Sequence, residues 1–116
     1  MRKEFNKVEG NIGEFNACEY LKKKKYKIIE QNHRNRLGEI DIIAQDKNMI
    51  VFVEVKSRST LKFGRPSESI DIRKQQKLRK VASLYLLQHK MMDCACRFDI
   101  IEVIGKSEIN HIENAF

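Results

Sequence analysis

One proline, three cysteines and no apolar run longer than Met49–Val53 mark the first limits of this sequence. A bilayer span needs roughly 18 apolar residues, so no membrane helix and no membrane partner are expected. The opening Met1-Arg2-Lys3-Glu4-Phe5-Asn6 leads into no apolar signal region. Cys18, Cys94 and Cys96 are an odd number without a Cys-x-x-Cys pair, which excludes a disulfide framework and suits a reducing, cytoplasmic setting. A zinc site from His89, Cys94, Cys96 and His111 would have a spacing that matches no familiar finger, and plain buried or surface thiols are the simpler expectation. Internal repeats and low-complexity segments are missing too. No strand carries the paired aromatics of common RNA-binding platforms, which argues against that class.

What is present is a basic chain of 116 residues, enough for one domain over residues 1–116 and one hydrophobic core. Lysine and arginine number 23 against 16 acidic residues, a net charge of +7, which favours an anionic partner such as nucleic acid. Charge alone is weak grounds, since many basic domains are simply soluble that way. A homodimer is compatible with the sequence but not derivable from it.

Val8 to Lys25 places Glu14, Ala17, Cys18 and Leu21 at helical spacing, with Lys22 to Lys25 at the negative pole of the predicted helix. Tyr26 to Glu30 reads as a short strand, and Asn32 to Gly38 as a polar, basic turn or irregular edge. Glu39 to Ala44 and Ile50 to Ser57 flank the polar Gln45-Asp46-Lys47-Asn48 and predict a β-hairpin. The polar segment 58–70 holds Gly64 and Pro66 and predicts an exposed, mobile loop with Arg58, Lys62 and Arg65 as its cations. A second helix is expected from Asp71, its N-cap, to His89, with Leu78, Val81, Ala82, Tyr85 and Leu86 as the apolar stripe and Arg73, Lys77 and Lys80 opposite. Arg97 to Ile104 suits a strand, and residues 105–116 form a tail whose shape the pattern does not define. The order predicts an α/β domain with a central mixed β-sheet flanked by helices.

A turn centred on Lys47 and Asn48 sets a register that puts Asp41 opposite Glu54 and Glu39 opposite Lys56, all on one face. Val51, Val53 and Val55 then point to the other face, into the core. Opposed carboxylates repel, and one is driven to hold a proton unless a cation lies between them. Magnesium takes oxygen ligands and is commonly held by one or two carboxylates plus substrate phosphate, which fits Asp41 and Glu54 better than any histidine or cysteine cluster. Lys56 alongside would orient or help deprotonate an attacking water and offset charge on the phosphate. Surface cross-strand ion pairs, each worth about 0–1 kcal/mol, would account for the same spacing. Glu14 shares the sheet-facing side of its helix and offers a third acid; a first-turn glutamate stabilised by the helix dipole is the competing account.

Gly38-Glu39-Ile40-Asp41-Ile42-Ile43-Ala44, Val51-Phe52-Val53-Glu54-Val55-Lys56-Ser57-Arg58 and Arg97-Phe98-Asp99-Ile100-Ile101 follow one another with Gly13-Glu14 and Ala17 before them and Asn114-Ala115-Phe116 at the end. Together they resemble the bacterial YraN-like family of small proteins, over nearly the whole chain from Gly13. That family is similar to the Holliday junction resolvase and restriction-endonuclease superfamily, whose site is an aspartate on one strand and Glu-x-Lys on the next. The resemblance implies a restriction-endonuclease-like fold and a metal-dependent nuclease, DNA favoured over RNA, with resolvase-like structure specificity open. It implies catalytic Glu14, Asp41, Glu54 and Lys56. Magnesium or manganese would be held by Asp41, Glu54, the Val55 carbonyl and Glu14, the last directly or through water. Phosphates would meet Arg58, Lys62, Arg65, Arg73, Lys77 and Lys80. The rival expectation is a nucleic-acid-binding or assembly module that keeps the fold without turnover.

Overall fold

The structure, a computed structural model, describes the backbone of residues 2–58, 70–105 and 108–116, with side chains for 12–57, 70–105 and 108–116. The predicted loop and its cations Lys62 and Arg65 lie outside the described residues, as does the side chain of Arg58.

The first helix, α1, spans Arg2–Lys23 and starts earlier than the apolar pattern predicts. Glu14 is therefore in mid-helix, and the first-turn dipole account of it does not hold. Ala17, Cys18 and Leu21 form the buried stripe. At Gly13 the helix comes so close to the sheet that a Cβ would collide with the Ser57 hydroxyl. The helix stops at Lys25, whose φ of 72° reverses the chain while the Lys25 and Tyr26 N–H groups donate back to the Lys22 and Leu21 carbonyls. Tyr26 then packs into the same core as Leu21.

Strand β1, Lys27–Asn35, runs further than the predicted Tyr26 to Glu30, so most of the expected polar turn is strand. As the edge strand it is paired, among the described residues, on one side only and tolerates exposed Gln31, Asn32 and Arg34. The turn shrinks to Arg36 and Leu37, where Asn35 Oδ1 accepts the Leu37 N–H at 2.9 Å. Gly38, at φ +147°, passes close to Val81 and Lys77 and seats this turn against the second helix.

The hairpin strands are β2, Gly38–Asp46, and β3, Met49–Arg58. Helix α2, Ile72–Gln88, is capped by Asp71, whose side chain accepts the Lys74 N–H at 2.9 Å. It leads to β4, Cys96–Ile104, and the tail adds β5, Glu108–Ile112. The sheet order is β1-β2-β3-β4-β5, antiparallel except for the parallel β3–β4 pair that α2 connects. This is the mixed five-stranded α/β architecture, consistent with a restriction-endonuclease-like arrangement. Each sheet face has its own core: Val51, Val53 and Ile101 with α1, Phe52 and Phe98 with Val81 and Tyr85 of α2. Each fully buried aliphatic or aromatic side chain contributes about 1.5–3 kcal/mol.

The tail is tied down by polar and aromatic interactions that periodicity does not reveal. Fully buried Asp99 accepts from Arg97 Nε at 2.9 Å, from the Asn114 N–H at 3.0 Å, and lies 2.7 Å from His111 Nε2. Burial alone would raise its pKa, but the bonds from His111, Arg97 and Asn114 outweigh burial and hold it below the ordinary value. Phe116 stacks on Phe98 with ring centroids 5.1 Å apart. Among the described residues no helix is long and apolar enough to cross a membrane.

Candidate functional site

The β2–β3 ladder has the predicted register from Asp46↔Met49 to Ile42↔Val53 and then stops. Asp41 and Glu54 are therefore not a paired rung, and Glu39 does not oppose Lys56: it pairs with Arg34 across β1–β2, with an ion pair at 2.9 Å. Side-chain direction also changes here. Ile42 and Ala44 enter the α1 core, whereas Ile40 and Ile43 both enter the α2 core, so the strict alternation of β2 slips around Asp41. In place of the missing rung, Asp41 Oδ2 accepts the Val55 N–H at 2.9 Å.

Glu54 is buried on the α2 face, within hydrogen-bonding reach of Asp41. Burial, and then the charge of Asp41, push its pKa from 4.5 to about 7, against the opposing pull of Lys74 and Lys56. Lys56, two residues along, is half-buried. Its pKa is lowered by burial and then by the neighbouring Lys74 charge. Lys74 Nζ lies 3.5 Å from Glu54 Oε1. The centre is thus two acids and two lysines at the diverging ends of β2 and β3.

Glu14 approaches from the α1 side. Burial and the charge of Asp41 raise its pKa, while a hydrogen bond with Asn32 opposes the rise. It is part-exposed and lines a separate concavity with Phe15, Cys18, Lys22, Gln31 and Asn32. Asp41 thus feels Glu14 across one face and Glu54 across the other, which its position at the slip in β2 explains. Among the described residues no group of three or more His, Cys, Asp or Glu side chains converges as a metal cluster.

The family described as "Uncharacterised protein family UPF0102" matches residues 13–103. A UPF0102 protein of Caldanaerobacter subterraneus subsp. tengcongensis is 48% identical over 100% of both chains. Another from Clostridioides difficile is 49% identical over 96% of this chain and 98% of its own, and one from Alkaliphilus oremlandii 52% identical over 96% and 99%. The chain belongs to the UPF0102 family. This is the YraN-like family whose motifs the sequence carries. Membership by itself assigns no reaction to a UPF0102 chain, so its chemistry must come from the geometry.

Beside the carboxylates the UPF0102 chain has an open concavity of about 700 Å³ between the β1–β2 turn and the start of α2. Among the described residues Arg34, Arg36, Arg73, Lys74 and Lys77 line it, with Glu39 and Asp71 as the acids. Glu39 is engaged by Arg34 and Asp71 by the helix cap. Arg73 and Lys77 thus face this groove, whereas Lys80 lines a different, apolar concavity with Leu37, Leu84, Leu87 and Met92. Lys74, Arg34 and Arg36 are not evident from sequence, because their relation to Glu54 depends on how α2 and the edge turn pack. The four zinc candidates do not assemble: Cys94 and Cys96 are exposed free thiols, His89 Nδ1 bonds the Tyr85 carbonyl at 2.9 Å, and His111 is engaged by Asp99.

Proposed function

We propose that this UPF0102 protein hydrolyses nucleic-acid phosphodiesters, DNA in preference to RNA, with magnesium or manganese as cofactor. The observation that carries this reading is the buried Glu54 carboxylate held within reach of Asp41 beside Lys56. Two acids whose repulsion drives one to take up a proton fit a divalent cation with oxygen ligands. Asp41, pinned by the Val55 N–H, and Glu54 would hold the ion, the Val55 carbonyl adding a ligand and Glu14 acting through water. Bound there, the ion would polarise the phosphate and acidify the attacking water.

The chain's own groups do the rest. Lys56, its pKa lowered by burial and by Lys74, positions that water and takes or returns its proton. The cations of the groove hold flanking phosphates, a role without sequence information. Arg58, Lys62 and Arg65, outside the described side chains, would add phosphate contacts of the same kind. A gel assay over branched, flapped, single-stranded and duplex DNA with magnesium or manganese tests the reading. Metal-dependent cutting that Asp41→Asn removes supports it.

A second reading, a binding module without turnover, is favoured by one observation: Glu14 lines its own concavity and completes no three-acid cluster with Asp41 and Glu54 among the described residues. Strand binding by wild type without cutting under either metal would select it.

A further inference from the structure

Lys74 belongs to two places at once. Its Nζ is 3.5 Å from Glu54 Oε1, and the same side chain lines the basic concavity with Arg34, Arg36, Arg73 and Lys77. The partners differ in freedom: the Glu54 side chain is 10% exposed and that of Lys74 44%. The backbone of Lys74 is fixed, because its N–H is bound by Asp71 Oδ1 at 2.9 Å, but its four-carbon stem is not.

We propose that Lys74 is a displaceable counterion for the Asp41–Glu54 pair, which a divalent cation would expel into the basic concavity, so that metal and phosphate binding favour each other. The inference rests on the metal-dependent reading given above and deepens it. Without metal, Lys74 offsets the buried Glu54 charge. It does so within hydrogen-bonding reach of Lys56, a second cation. Two further positive charges between the same carboxylates would make Lys74 the least favourable neighbour, and it is the more exposed of the two lysines. Its natural exit is the adjoining groove, where among the described residues it would join four other cations and two already engaged acids. A phosphate there would be stabilised by the arriving ammonium and would in turn draw Lys74 away from Glu54. Linkage requires the two effects to be equal.

The test compares wild type, Lys74→Met and Lys74→Arg. The fold should survive the first change, because the capping bond uses the Lys74 backbone. Calorimetric titration with manganese alone should show Lys74→Met binding about fivefold or more tightly than wild type, with Lys74→Arg near wild type. Binding of a labelled oligothymidylate would be measured with and without calcium, an oxygen-seeking ion of the same charge. Calcium should strengthen wild-type binding, and the enhancement should shrink by a matching factor in Lys74→Met. Equal manganese affinities in wild type and Lys74→Met, or an unchanged calcium enhancement, would overturn the inference while the metal-dependent reading stands. A wild type that binds neither manganese nor calcium would overturn both.

Discussion

Asp41 and Val55 are joined where a backbone rung between β2 and β3 would otherwise continue: Asp41 Oδ2 accepts the Val55 N–H at 2.9 Å, just past the last pair Ile42↔Val53. A side chain thus satisfies the donor that the parting strands would leave open. The same bond fixes the Asp41 carboxylate near Glu54.

Asp41→Asn should preserve the bond to Val55, since the amide oxygen can replace Oδ2, while removing one charge from the site. Metal-dependent cleavage should fall by about a hundredfold or more, with strand binding nearly intact. Single-turnover cleavage and fluorescence anisotropy on one preparation separate the two. A variant that cuts as fast as wild type would place the activity elsewhere or in a contaminant.

Glu54 makes a pH-dependent contribution to stability. Its folded pKa, about 7, lies above the ordinary 4.5, so the folded state binds the proton more tightly than the unfolded one. The stabilisation is complete below about 4.5 and is lost as pH rises through about 7. Glu54→Gln, neutral throughout, should therefore be more stable than wild type at pH 8, by roughly 1–3 kcal/mol, and should lose cleavage. Urea denaturation of both proteins at pH 5 and pH 8 checks this; a stability difference that does not change with pH would contradict it.

Arg73 and Lys77 line the groove beside Glu54, and Lys80 does not. Replacing Arg73 and Lys77 with alanine should weaken strand binding across sequences and flatten the slope of log affinity against log salt by about 0.7–0.9 for each phosphate no longer neutralised. Lys80→Ala should change the slope less. Equal effects from all three would mean that the groove has no special part in binding.

Asp99 neutralises Arg97 in the interior and also holds His111 and Asn114. Asp99→Ala should cost about 3–5 kcal/mol, because it removes the shared acceptor of His111 and the Asn114 N–H and leaves the Arg97 guanidinium only its longer carboxylate contacts to Asp46 and Glu113, at 3.3 and 3.7 Å. Chemical denaturation measures the loss, and faster amide exchange across β5 should accompany it. A loss below about 1 kcal/mol would show that the tail is held by its backbone pairing to β4 alone.

Much of this architecture is legible in short stretches of sequence. The alternation of Val51, Val53 and Val55, the turn at Lys47 and Asn48, and Asp71 before an apolar stripe each depend on neighbours a few residues away. They define the hairpin register, α2 and its cap, and they place Asp41, Glu54 and Lys56 near one another. The polar composition of residues 32–35 hid the length of β1, because an edge strand needs little apolar surface. The tail concealed β5, whose pairing with β4 is anchored by Asp99 of β4 through His111 and the Asn114 N–H.

Tertiary structure decided the rest. It ended the β2–β3 ladder one residue before Asp41, turned Glu39 toward Arg34, and brought Lys74 of α2 to Glu54 of β3. It also joined Arg34 of β1 and Arg36 of the following turn to Arg73 and Lys77 in one groove. Backbone periodicity and turn chemistry are local and can be read residue by residue. Which charges finally meet depends on two layers packing against a twisted sheet, where a slip of one residue in β2 changes what every neighbouring side chain touches.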